Sequence, residues 1–298
     1  MIMKESLIIS ICNNVGACME HNTEYIKLND DYLRKLQLEM LTLLIEVDRL
    51  CREHNIQYFL SYGTLIGAVR HKGFIPWDDD IDIEMCREDY EKFCSICENE
   101  LDTSKFFLQN QQTDKNYNWV YGKLKLQNTS FIRSGQEHLK QKDGIFIDIF
   151  PLDNISSNRF RQKVSLKACK ICRRLLWASV GRKMVRNKFS RAAYTALSCI
   201  PKKVVTSIFD VFAKSDKKTP YLAAHNYFSG YIFKREWFSE AVTVEFEGHR
   251  FYAPIGYHEI LSSIYGDYMQ LPPVKQRYGH TYVSYIRFLD GLELKVIR

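Results

Sequence analysis

Between residues 78 and 85 the chain reads Asp-Asp-Asp-Ile-Asp-Ile-Glu-Met, a run that few folds can accommodate. In an extended segment alternate side chains share a face. Asp80, Asp82 and Glu84, led in by Asp78, then point one way, and Ile81, Ile83 and Met85 point the other. The apolar side must lie on a core while the carboxylates gather where a hard cation can meet them. Upstream, Tyr58-Phe59-Leu60 predicts a buried strand, and Leu65-Ile66-Gly67-Ala68-Val69 predicts a short helix behind the turn at Gly63-Thr64. That order leaves backbone N–H groups free at a helix N-terminus, an anion site. Gly63 lets a phosphate approach the backbone, and Thr64 adds a hydroxyl donor. A phosphate cradle followed by Asp-apolar-Asp on a strand suits Mg²⁺ (or Mn²⁺) held beside a nucleotide. Acidic runs are commonly solvated loops or helix caps, but a solvated loop has no use for alternating isoleucines.

The stretch from Gly63 to Met85, GTLIGAVRHKGFIPWDDDIDIEM, resembles the signature of the LicD family. That family includes bacterial phosphocholine transferases and is related to the fukutin group of ribitol-phosphate transferases. GIFIDIFPLD at 144–153 and YGDYMQLPP at 265–273 are similar to the family as well, so the likeness spans residues 30–280 or so. The resemblance implies an α+β fold of nucleotidyltransferase type, a mixed β-sheet core flanked by helices, with a third carboxylate on a later strand. Asp148 is the matching position. It also implies catalytic and metal-ligating roles for Asp80, Asp82 and Asp148, and phosphate or nucleotide contacts from Gly63, Thr64, Arg70 and Lys123. The residues themselves leave alternatives open. Asp148, set among bulky apolar neighbours, is costly to bury unpaired, and a shared metal, a backbone N–H or an arginine would each pair it. Arg70 suits a phosphate or a surface loop. Trp77 suits a base or the rim of a core.

Four parts are expected along the chain: a lead-in at 1–27, a catalytic core at 28–157, a basic helical insertion at 158–220, and a C-terminal part at 221–298 packing on the core. Leu33, Leu36, Met40, Leu43, Leu44, Val47 and Leu50 recur at helical spacing behind a cap at Asn29 or Asp30. A second helix follows from Arg87 to Leu101. FFLQNQ and WVYGKLKLQNTSFI within 106–133 read as strands, the latter with Lys123 and Lys125 on one face. Asp153 reads as a turn or helix-cap residue, and 242–253 as a hairpin around Glu247-Gly248. Tyr257 to Tyr265 reads as a helix. His280, near Arg277, reads as a surface histidine within possible reach of the site. The brief apolar patch from Leu7 to Cys12 makes a poor secretory signal, and no apolar run reaches the length of a membrane span. Nine scattered cysteines suit reduced thiols in a cytoplasmic protein. The pairs Cys94/Cys97 and Cys169/Cys172 lie at helical spacing and far apart, which suits core and surface thiols better than zinc.

Charge is distributed unevenly. Residues 159–218 hold 17 Lys+Arg against 2 Asp+Glu, a net +15 in a chain whose total is +7, so the remainder sums to −8. The segment is also amphipathic. Basic amphipathic helices suit an anionic membrane surface. A plain solvated helical face is the next reading, and nucleic acid the last, since aromatic residues are sparse in the densest basic part. The expectation is a peripheral enzyme at the inner face of the membrane. It moves a phospho-alcohol, phosphocholine from CDP-choline first among them, onto a hydroxyl of a glycan or lipid-linked saccharide. The choice of choline rests wholly on the family resemblance. A nucleotidyltransferase attaching NMP to its acceptor is the enzymatic alternative, and a non-catalytic membrane or glycan adaptor is the alternative of another class.

Overall fold

The computed structural model describes residues 25–215, 217–225, 230–279 and 282–296. Most of the lead-in, including the Leu7–Cys12 patch, and His280 lie outside the described residues. The fold is α+β. Asn29 caps helix α1 (Asp30–Glu53) by accepting the Tyr32 N–H at 2.9 Å, and the helix lays Leu36, Met40, Leu43, Leu44, Val47 and Leu50 into the core. The chain then turns through strand β1 (Phe59–Leu60), a one-turn helix α2 (Tyr62–Ile66) and a π-helical turn at Gly67–His71. Strand β2 (Asp82–Cys86) leads into helix α3 (Arg87–Glu100). Strands β3 (Phe106–Gln109), β4 (Gly122–Leu126), β5 (Ser130–Arg133) and β6 (Phe146–Asn154) follow.

The central sheet runs in the order β1-β2-β6-β4-β3. Strands β2 and β6 are parallel, and the other pairs in this run are antiparallel. One face carries Leu60, Ile83, Met85, Ile147, Ile149 and Leu124, which merge with the apolar stripes of α1 and α3 into the main core. The alternation in the sequence therefore dictates which face is dry. The other face carries the polar row described below.

The chain continues through three helices, α4 (Arg159–Met184), α5 (Lys188–Leu197) and α6 (Lys202–Ala213). Helices α4 and α6 share a small core of Cys169, Cys172, Leu176, Val205, Phe209 and Ala213. Both cysteines of that pair are thus buried thiols, and burial pushes Cys169 up to about 12. Strand β7 (Tyr221–Ala224) returns to the sheet by pairing with the end of β6, and β8 (Tyr231–Lys234) pairs with β7. The hairpin of β9 (Ala241–Phe246) and β10 (His249–Pro254) turns at Glu247-Gly248, both in the left-handed region with φ of 51° and 75°. Helix α7 (Tyr257–Tyr265) follows. Strands β11 (Val283–Arg287) and β12 (Glu293–Lys295) join β5 in a separate sheet, a pairing that the weak alternation at the C-terminus does not announce.

Candidate active site

Parallel pairing of β2 with β6 sets Asp82 beside Asp148, and antiparallel pairing of β6 with β4 sets Lys123 on the other side of Asp148. Residues opposed in a ladder share a face, so three neighbouring strands present an Asp82–Asp148–Lys123 row. The Lys123 ammonium pairs with Asp148 and lies 3.4 Å from the centre of the Phe146 ring. Both partners are buried. Burial brings Lys123 down to about 8 against the pull of Asp148. Lys125, one step along the same face and equally buried, falls to about 7 through burial and the Lys123 charge. The expected basic face of β4 is therefore covered rather than solvated.

The acidic run behaves differently from simple alternation. The strand begins at Asp82, and Asp78 to Asp80 form an irregular approach to it. Carboxylate oxygens of Asp78, Asp79 and Asp80 lie within 4.8 Å of one another. Asp79, which alternation assigns to the far face, is buried and belongs to this group. Burial, then Asp80 and Asp79, push the Asp78 carboxyl well above the usual range. Burial, then the Asp80, Asp148 and Asp78 charges, do the same to Asp82. Such crowding of like charges favours protonation or a shared cation. Oxygen donors of this kind fit a hard divalent ion.

The Gly63-Thr64 turn, expected to receive a phosphate, lies against that cluster. A Cβ at Gly63 would lie 2.8 Å from Asp78 Oδ2, so glycine is what lets the carboxylate approach this turn. Thr64 is buried, and its hydroxyl oxygen accepts the Asp82 N–H at 2.9 Å, tying α2 to the first residue of β2. Arg70 donates through Nη1 to the carbonyls of Tyr268 and Gln270, at 2.6 and 3.3 Å, and so fastens the segment after α7 beside the site. Trp77 packs against the main core, with the Arg277 guanidinium 5.5 Å from its ring centre.

Three features escaped the sequence. Arg133 lies at the end of β5 with its guanidinium 5.1 Å from the Phe146 ring, and its buried Nε has no hydrogen-bond partner among the described residues. Lys123, Lys125, Arg133 and Phe146 line a cavity of about 70 Å³. Alternation along 130–133 was the available signal. The second is the partner of Glu84: the sequence set this carboxylate in the cation-facing row, whereas it is buried on β2, accepts the Tyr62 hydroxyl at 2.7 Å and is pushed up to about 7 by burial. Tyr62 holds φ at 46°, a backbone state that costs a non-glycine residue about 1–2 kcal/mol.

The third corrects the reading of Asp153 as a turn or cap residue. It is a fully buried residue of β6, held by Arg87 at 2.7 and 3.1 Å and by His225 Nδ1 at 3.3 Å. Ser165 Oγ stands 2.9 Å from His225 Nε2 but donates its proton to the Phe212 carbonyl at 2.7 Å. This Ser–His–Asp set is accordingly a buried polar network joining α4 and β7 to the sheet, not an activated nucleophile.

A family model described as the LicD/FKTN/FKRP nucleotidyltransferase domain matches residues 55–169, which contain the whole acidic row. The lipopolysaccharide cholinephosphotransferase LicD of Haemophilus influenzae is 31% identical over 267 residues, covering 83% of this chain and 95% of that protein. An uncharacterised protein of Rickettsia prowazekii is 32% identical over 107 residues, 30% of this chain and 40% of its own length.

Proposed function

The chain belongs to the LicD family, and on that premise we propose that it is a phosphotransferase that moves phosphocholine from CDP-choline to a hydroxyl of a cell-surface saccharide. The observation that carries the reading is the Asp82–Asp148–Lys123 row, with Asp80 and its neighbours feeding into one end. Support for choline comes from the Haemophilus relative, which acts on lipopolysaccharide according to its name.

In this reading Asp80, Asp82 and Asp148 would hold Mg²⁺ or Mn²⁺. The ion would supply charge neutralisation on the transferring group. The backbone at Gly63-Thr64 receives the donor's phosphate, and Lys123, with Lys125 and Arg133 behind it, offsets the remaining charge. Arg70 secures the Tyr268–Gln270 segment that borders the site. A new bond forms between the acceptor oxygen and the phosphorus bearing choline, while the bond from that phosphorus to the bridging oxygen of the nucleotide breaks. CMP leaves with the electron pair. The acceptor's proton passes to Asp148 where that carboxylate is not itself a ligand to the ion.

The basic helices α4 to α6 are read as resting on an anionic membrane at its inner face. In support, Phe189, Val211 and Phe160 stand out from this segment 89%, 77% and 75% exposed. Among the described residues no helix is long and apolar enough to cross a membrane.

Thermal-shift screening against CDP-choline, CDP-ribitol, CDP-glycerol, ATP and UTP, each with Mg²⁺ or EDTA, tests the donor. A Mg²⁺-dependent shift with CDP-choline is expected. Mass spectrometry of the products then separates the chemistries: free CMP and a phosphocholine-bearing acceptor support the proposal, and an acceptor carrying the nucleotide overturns it.

A further inference from the structure

One step along the sheet from the Asp82–Asp148 pair, on the same face, the ladder opposes Glu84 and Phe150. Around this second pair the aromatic rings form a chain. Tyr121 lies 4.7 Å from Phe150 between ring centres and tilted by 51°, Tyr62 lies 6.0 Å from Phe150 and nearly perpendicular, and Tyr231 lies 6.4 Å from Tyr62. The rings thus follow one another with their faces turned in several directions. Phe150, Tyr62 and Glu84 are buried, whereas Tyr121 and Tyr231 keep part of their surface open. Glu84 has no cationic side chain paired with it among the described residues, and the Tyr62 hydroxyl is its hydrogen-bond partner. Arg173, from α4, has its charge near the Tyr62 and Tyr121 hydroxyls.

We infer that Tyr62, Tyr121, Phe150 and Tyr231, together with the Glu84 carboxylate, form a subsite for a quaternary ammonium group, the choline end of the donor. A trimethylammonium cannot donate a hydrogen bond, so it is recognised by the negative faces of aromatic rings and by a nearby anion in a dry setting. A polyol makes no comparable use of ring faces, so the aromatic surface itself favours the quaternary ammonium. Two residues along a strand span about 7 Å. Extended phosphocholine, in which only an O–CH₂–CH₂ link separates phosphorus from nitrogen, reaches most of that distance. Phosphorus over the Asp82–Asp148 pair therefore leaves the ammonium over Glu84–Phe150. The inference rests on the proposed phosphocholine transfer and explains why that alcohol, rather than glycerol or ribitol, would be taken.

Calorimetry on the full chain with Mg²⁺, using CDP, CDP-choline and CDP-glycerol as probes, tests it. The unaltered protein should bind CDP-choline at least about tenfold tighter than CDP-glycerol. Tyr231→Leu should erase that preference while leaving CDP affinity unchanged, Tyr231→Phe should retain it, and Glu84→Gln should reduce it severalfold. Unchanged CDP affinity also reports that each variant is folded. If CDP-choline and CDP-glycerol bind the unaltered protein equally, or if Tyr231→Leu and Glu84→Gln both keep the preference, the subsite is wrong while CDP-alcohol transfer survives. If neither CDP nor CDP-choline binds, both fall together.

Discussion

The polar face of the central sheet and the helices α4 to α6 are both rich in charge, yet they use it in opposite ways. On the sheet, charges are few, buried and locked by ladder register: Lys123 meets Asp148 because β4 meets β6, and for no other reason. On the helices, charges are many and largely exposed, with salt bridges such as Lys214–Asp210 spanning a single turn at 3.2 Å. A buried charge is held by geometry and is expensive to disturb. An exposed one is screened and individually weak. The first arrangement suits chemistry at a point, and the second suits attraction to an extended surface.

The largest effect should come from the sheet. Asp80→Ala or Asp82→Ala is expected to lower transfer by about 10³-fold, the scale of losing a charge-stabilising group, with an unchanged far-ultraviolet circular dichroism spectrum. Activity within tenfold of the parent would mean that the buried row is only structural. Next, Arg87→Met strips the buried Asp153 of its bidentate partner and should cost about 3–5 kcal/mol in urea unfolding. A loss below about 1 kcal/mol would place this pair with the surface ones and blur the contrast.

Glu84 gives a subtler test. Its folded carboxyl titrates at about 7 against an ordinary 4.5, so the folded state binds the extra proton. The associated stability is present below about 4.5 and is lost as pH rises towards about 7. Glu84→Gln should therefore gain on the parent over that window, by about 3 kcal/mol. Parallel pH profiles of the two unfolding midpoints would refute the burial argument. The smallest effect on folding belongs to the helices: Phe189→Ser should change stability by less than about 0.5 kcal/mol. It should nonetheless weaken co-sedimentation with anionic vesicles, binding that itself fades with salt. Vesicle binding indifferent to salt and to anionic lipid would remove the membrane role.

The helices at α1, α3 and α7, the 241–254 hairpin and the dry face of β2 were legible because each repeats a local period, 3.6 or 2, over its own length. So was the nearness of a glycine-threonine turn to an acidic strand, which short chain separation enforces. By itself the sequence determined an α+β chain with one acidic strand, one basic helical segment and a set of candidate carboxylates. The tertiary structure alone decided which charges face each other. Parallel pairing of β2 with β6 joins Asp82 to Asp148 across sixty-six residues, and antiparallel pairing of β4 with β6 hides Lys123 and Lys125. It also decided that Asp153 is buried on a strand, that β11 lies on β5, and that Glu84 sits among aromatic rings drawn from separate elements. Pattern along a chain reports which face a residue takes. Register between strands depends on how distant segments pack, and no local period encodes it.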